Sequence, residues 1–352
     1  MTADLMAVVL LLAIAAYTCA GGTDYGAGFW DLTAGGAERG KQPRWLIDHA
    51  MAPVWEVNNV WLIFVFVIMW TGFPTLFQAV FSAMWLPLAL AAVGLVLRGA
   101  GFAFRKVARK LAERRLYGAV FALASLVTPF FLGAAVGGVA SGRVKLGTEA
   151  SADAWSNPTS VMFGLLAVAA TAFLGAVFLA GDARRFDAPH LIAYFRRRGL
   201  LSLIALAVLA LITLFVTSED APHIWHGLTH GAGLAFAIAA GAASLNTAWL
   251  LMRRPGGWAR ASAVGAVACA VLAWGLAQRP YLLPTSMTVA EGAGASTTLT
   301  WLAFVTLVAL VIVVPAVVFL YWLDTRGDLE ELSEADLRQG DDPGGGDRAG
   351  TT

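Results

Sequence analysis

Two acids and an arginine stand where apolar helices would carry them into a membrane. Asp24 lies in CAGGTDYGAGFW, residues 19–30, near the end of an apolar run that begins at Leu5. Gly21, Gly22, Gly26 and Gly28 strip side-chain bulk from its surroundings. A charge in such a run costs about 2.5–3.5 kcal/mol at mid-bilayer, so it faces protein or a water path. Glu56 follows in APVWEVNNVWL, between Trp55 and Trp61 and beside Asn58 and Asn59. The two amides need partners if buried, and Glu56 or an open helix start would supply them. Arg98 and Arg105 end a third apolar run. At about 1.5 Å per residue, Asp24 is deep enough in its span to approach the same membrane face. Asp24, Glu56, Arg98 and Arg105 are therefore expected to converge there. The chemistry this suggests is proton entry through Asp24 and Glu56, with Arg98 as counter-charge. Helix ends with snorkelling arginines would give the same pattern without transport.

The histidines offer a weaker signal. His223, His226 and His230 fall roughly on one helical face, and the last two have the i, i+4 spacing of haem or metal ligands. No further ligand signature accompanies them, and solvated or interfacial histidines are the plainer reading. His49, near Asp48, reads as a surface residue. Cys19 and Cys269 stand far apart in apolar runs, which excludes a disulfide framework. No stretch resembles a nucleotide-binding loop, a nucleophile elbow or a zinc pattern.

The elements that must hold these residues are membrane helices. The 352 residues are 59% hydrophobic and 13% charged, and mean hydropathy is +0.71. A soluble chain carries roughly 25% charge. A spanning helix needs about 20 apolar residues. Nine runs qualify: 5–29, 57–74, 76–103, 116–139, 158–180, 199–217, 229–252, 260–278 and 297–322. The first lacks a preceding Lys or Arg and a good cleavage site, so it is expected to be retained as a helix. Phe73-Pro74 joins the second and third runs, which predicts a tight hairpin.

Of the 24 Lys and Arg, 21 lie in or beside the loops after odd-numbered spans and in the C-terminal tail; 3 lie on the other side. The positive-inside rule then puts the N-terminus outside and the C-terminus in the cytoplasm. ARRFDAPHLIAYFRRRG, residues 183–199, alternates basic and apolar residues and reads as an amphipathic anchor on the inner leaflet. The expected organisation is one transmembrane domain over 1–324. Residues 325–352 form a polar tail, helical at most over LEELSEADL and disordered beyond.

These stretches resemble subunit II of the cytochrome bd quinol oxidases. GGTDYGAG is similar to the family's glycine-rich first-helix motif. APVWEVNNVWL is similar to its APxWDGNxVWL motif, with Glu56 at the acidic position. The segment from Phe73-Pro74 to Arg105 resembles the stretch that follows in the family. RPYLLPTSM, residues 279–287, is similar to its loop before the last helix. The likeness is strongest over residues 16–105 and returns at 279–300. Gly21 and Ala103 stand where the family often has acids, Tyr25 where it has a small or apolar residue, and Val57 where it often has glycine.

The resemblance implies an all-α fold of nine helices: two four-helix bundles, about 1–140 and 158–278, and one peripheral helix. It implies a multi-pass protein of the bacterial cytoplasmic (inner) membrane, paired with a subunit I that holds haems b and d. The complex would oxidise quinol and reduce dioxygen to water, taking protons from the cytoplasm. This chain would bind no haem, and its partners would be subunit I and lipid, not nucleic acid. Gly22, Gly26, Gly28, Trp55, Asn58, Asn59 and Trp61 would frame the motif. Two rival readings stay open. One is a proton-coupled secondary transporter, suited to an intramembrane acid and a broken hairpin. The other is a scaffold subunit with no transport path.

Overall fold

The structure, a computed structural model, describes residues 1–36, 38–51, 55–147 and 151–326; within these, the side chains of residues 51, 55–57, 106, 320–322 and 324–326 are left out of the description. The chain is helical almost throughout. A long first helix, α1 (Thr2–Leu32), is followed by a short amphipathic α2 (Lys41–Met51). Then come α3 (Trp55–Gly72), α4 (Pro74–Ala83), α5 (Trp85–Val107) and α6 (Leu111–Ala140). A single turn, α7 (Asp153–Ser156), leads into the hairpin α8 (Pro158–Arg185) and α9 (Pro189–Asp220). The short α10 (Pro222–Thr229) precedes a second hairpin, α11 (Gly231–Arg253) and α12 (Gly257–Ala277). A two-stranded antiparallel ladder, β1 (Tyr281–Leu283) with β2 (Met287–Thr288), and the turn α13 (Val289–Gly292) lead to α14 (Ser296–Arg326).

Local chemistry sets many of the boundaries. Pro74, Pro158, Pro189 and Pro222 occupy the first turns of α4, α8, α9 and α10, where no intrahelical N–H is needed. Asn157 caps α8 by accepting the Ser160 N–H at 2.9 Å. Thr288 and Glu291 form a reciprocal capping box on α13.

Among the described residues, eight helices are long and apolar enough to cross a membrane. The count is nine if the bent pair α3–α4 is one span. The run at 76–103 is not a single helix. It divides at Met84, whose backbone leaves the helical region between α4 and α5. Pro87, in the first turn of α5, has no N–H to continue a helix from Ala83, and Met84 at the break is fully buried with its side chain against Gly138 of α6. α4 turns from α3 by 117°. The expected hairpin of the second and third runs does not form: α5 packs along α6, and α3 packs along α1. Residues 183–199 are not a separate surface segment either. They are the end of α8, a turn at 186–188 and the start of α9. The polar tail beyond Arg326 lies outside the described residues.

α1 is the spine. It packs against α3, α6, α8 and α12, and more lightly against α2 and α14. It passes through two apolar cores. One, near its start, gathers Met6, Leu10, Ile68, Phe73, Met84 and Leu283. The other, toward its end, gathers Trp30, Phe102, Phe121, Phe173, Phe195 and Leu251. Between them α1 and α8 touch backbone to backbone. A β-carbon on Gly26 would collide with the Thr171 carbonyl oxygen and lie 2.8 Å from Gly175 Cα. Glycine on both helices allows this approach.

Gly26→Ala should therefore lower stability by about 1–3 kcal/mol, as overpacking does. Gly241→Ala, where a β-carbon meets nothing within 4 Å, should not destabilise and should gain up to about 1 kcal/mol of helix propensity. Equilibrium denaturation in detergent micelles measures both; equal effects would contradict the α1–α8 contact.

Candidate functional site

The glycine-rich stretch of α1 places Asp24 one residue before Tyr25 and two before the α8 crossing. Asp24 is 9% exposed and its Oδ2 accepts a hydrogen bond from Asn58 Nδ2 at 2.6 Å. Asn58 is 3% exposed, on the first turn of α3. The structure thus joins the two sequence motifs through one side-chain pair. Asn59 is half-buried on the next position, and Trp61 meets Phe64 edge to face, with ring centroids 6.3 Å apart. Trp55 and Glu56 belong to the first turn of α3, but their side chains lie outside the described residues.

Arg98 comes from α5 and is 2% exposed. Its Nε donates to Ser125 Oγ of α6 at 3.2 Å, and that hydroxyl donates to the Phe121 carbonyl at 2.7 Å. Gly28 leaves the space that Ser125 occupies. The guanidinium lies over the Tyr25 ring at 4.8 Å and the Phe121 ring at 5.3 Å. No direct ion pair joins Arg98 to Asp24 among the described residues. Arg98 Nη2 has no hydrogen-bond partner there. Tyr25 also shares a hydrogen bond of 2.9 Å with Tyr17, just over two turns away on α1. The site is a buried acid, an amide that holds it and a buried cation faced by aromatic rings. Chemically it can hold or release a proton at Asp24 without exposing it to lipid.

Arg105 does not join this group. It reaches a second cluster nearer the basic end of the helices. There Arg105 Nη1 donates to Asp31 Oδ2, and Nη2 donates to both Asp48 oxygens at 2.9 and 3.0 Å. Arg44 Nε donates to the other Asp31 oxygen at 2.8 Å. Asp31 is 4% exposed. Burial pushes the Asp48 carboxyl above its ordinary range, against the pull of Arg105. Of the four groups expected together, Arg105 thus lies apart with Asp31 and Asp48, and the Glu56 side chain is outside the described residues. Asp31 is seven residues after Asp24, two turns along one helical face; that spacing was the available signal for it. Asp48 depended on α2, which folds back on α1 and α8.

His223, His226 and His230 lie at the opposite end. His223 Nε2 is 3.3 Å from the Gln278 carbonyl oxygen, and the His226 and His230 rings stack at 4.3 Å. Among the described residues no group of three or more His, Cys, Asp or Glu is arranged to hold a metal ion. His49 is exposed, and its ring lies tilted at 37° to that of Trp45 with centroids 4.5 Å apart. A cavity of about 300 Å³ runs along α1 from Asp4 to Tyr25, walled by Leu10, Val65, Met69, Val136 and Trp274. Its lining contains no histidine, so none of the imidazoles named above faces it.

The family described as cytochrome bd terminal oxidase subunit II matches residues 2–324. Subunit 2 of the cytochrome bd-I ubiquinol oxidase of Escherichia coli K12 is 23% identical over 343 residues, covering 86% of this chain and 88% of that protein. Subunit 2 of the cytochrome bd ubiquinol oxidase of Bacillus subtilis is 25% identical over 130 residues, covering 37% of this chain and 38% of that one. Among solved structures, a chain of the bd oxidase from Geobacillus thermodenitrificans superposes with a TM-score of 0.72 and 26% identity. That match covers 92% of this chain and 98% of the other.

Breaking the second cluster should be costly where it is buried. Arg105→Gln leaves the Asp31 carboxylate with Arg44 alone and should cost about 3 kcal/mol. Asp48 is 39% exposed, and Asp48→Asn should cost less than about 1 kcal/mol. Chemical denaturation of the two variants checks the order; a reversed order would place the weight on α2 instead.

Proposed function

The chain belongs to the cytochrome bd terminal oxidase subunit II family, and from that premise we propose that it is the haem-free subunit that supports a haem-bearing subunit I and carries protons toward it. The complex would transfer electrons from quinol to dioxygen. Reduction of dioxygen to water consumes one proton for every electron, so a proton route to the partner's haems d and b is chemically required. The observation that carries the reading is the Asp24–Asn58 pair, a buried carboxyl held by an amide at 2.6 Å inside an apolar bundle.

Asp24 and Glu56 are the proposed proton-path acids. Asn58 fixes the Asp24 carboxyl, and Arg98 balances its charge through space. Asp31 and Asp48 fasten α1, α2 and α5 together at the mouth. The proposed bundles, α1 with α3–α6 over about 1–140 and α8 with α9, α11 and α12 over about 158–278, meet along the packing of α8 on α1 and α6. α14, covering the expected 297–322, rests on α1 and α3 with most of its surface bare, which suits a peripheral helix. The charge asymmetry supports an outside N-terminus and a cytoplasmic C-terminus. The expected location is the bacterial cytoplasmic membrane.

A purely structural role for the same residues is favoured by one feature: Arg98 is held by Ser125 and two rings, without a direct bond to Asp24. Two variants in the complex separate the readings. Asp24→Asn and Glu56→Gln should each lower quinol oxidase turnover by roughly tenfold or more, while the b- and d-type bands of the reduced-minus-oxidised spectrum persist. Unchanged turnover and proton uptake would leave the acids structural. Solute uptake by the chain alone in vesicles would instead favour the transporter.

A further inference from the structure

The second bundle ends in a concentration of arginine. Arg184 lies in the last turn of α8, Arg196 and Arg197 lie two turns into α9, Arg253 ends α11 and Arg254 follows it. These positions share one end of the bundle, because α8–α9 and α11–α12 are antiparallel hairpins that turn there. α8 packs on α9 and α12, and α11 packs on α12 and α9. Arg184 Nη1 donates to the Pro255 carbonyl oxygen at 3.3 Å, which ties one turn to the other.

Among the described residues, little negative charge answers them. The acids in these turns are Asp182 and Asp187. Asp182 is taken by Arg260, Nη2 to Oδ1 at 2.6 Å. Asp187 is exposed at the tip of the α8–α9 turn with φ 49°. Among the described residues, Arg184, Arg196, Arg197, Arg253 and Arg254 form no ion pair with an acid. Arg184, Arg197, Arg253 and Arg254 are exposed.

The wall next to this rim is apolar. On α9, Leu201, Ile204 and Val208 are exposed; on α11, Leu245, Trp249 and Met252 are exposed. The Arg253 guanidinium lies 5.9 Å from the Trp249 ring. A soluble anion would use the guanidinium groups and ignore the wall. A molecule with an anionic head and hydrocarbon chains uses both. Guanidinium forks suit phosphate oxygens, and basic residues near a membrane surface attract anionic lipid.

We propose that this rim is a binding site for the phosphate headgroup of an anionic phospholipid, whose acyl chains lie on the exposed faces of α9 and α11. The site is remote in sequence from Asp24, and it does not depend on the proton-path reading or on membrane orientation.

The test uses the complex purified in detergent and delipidated. Phosphatidylglycerol, phosphatidylcholine with the same chains, and inorganic phosphate are each titrated, with native mass spectrometry and thermal unfolding as readouts. Phosphatidylglycerol should be retained and should raise the unfolding midpoint, with phosphatidylcholine at least about tenfold weaker. The double variant Arg253→Gln/Arg254→Gln should weaken phosphatidylglycerol binding roughly tenfold or more. Arg114→Gln/Arg115→Gln, on exposed positions at the start of α6, should leave it unchanged. Equal binding of the two lipids, or equal loss in both variants, overturns the site. Stabilisation by inorganic phosphate to the same extent overturns the lipid assignment. Unchanged haem bands in the variants keep a folding defect from imitating the result.

Discussion

The contact on which the rest depends is the backbone approach of α1 to α8 at Gly26 and Gly175. Lipid offers no hydrophobic drive for one apolar helix to find another, so close packing must hold them. Glycine on both sides makes this a close junction between the two halves of the chain. It also decides where polar groups can sit. Asp24 lies half a turn from the crossing, where protein rather than lipid surrounds it. Gly28, two residues beyond, opens the space for Ser125, and Ser125 in turn receives Arg98. One run of glycines thus provides the helix junction and the room for a buried acid and a buried cation.

Charge is arranged at two depths. At the inner depth, the Asp24 and Arg98 side chains are buried and meet neutral partners: an amide, a hydroxyl and aromatic faces. Near the basic end, Asp31 and Asp48 meet arginines directly, and α2 is fastened to α1 and α5. The first arrangement holds a carboxyl by a neutral amide rather than by a charge. The second holds its partners in fixed geometry, since two guanidinium groups occupy both oxygens of Asp31. The same kinds of residue therefore serve different ends, according to what stands opposite them.

Much of the architecture was legible in the chain. Long apolar runs separated by basic clusters predict membrane helices, because backbone polar groups must be satisfied within the segment. Pro158, Pro189 and Asn157 mark helix starts by chemistry that is entirely local. Asp24 and Asn58 were legible as residues of interest for a similar reason: polar groups in apolar surroundings need partners. The pairing of Arg105 was not legible. Its distance along α5 from Arg98 is two turns, and nothing local says which acid each will meet. The break at Met84 did leave a mark, since Pro87 in the same run lacks the N–H that a continuous helix would need there; what stayed hidden was the contact of Met84 with Gly138 on another helix.

By itself, then, the sequence determined the helical class, the approximate number of spans and the presence of a buried acid in a glycine-rich helix. These follow from composition, periodicity and backbone satisfaction, which act over a few turns. Only the tertiary structure decided that Asn58 holds Asp24, that Arg98 rests on Ser125 and Tyr25, and that Arg105 leaves them for Asp31 and Asp48. It also decided that α5 pairs with α6 rather than with α3. The physical reason is that apolar helices are nearly interchangeable as neighbours in a membrane. Which one lies against which is settled by the fit of small and large side chains at each crossing.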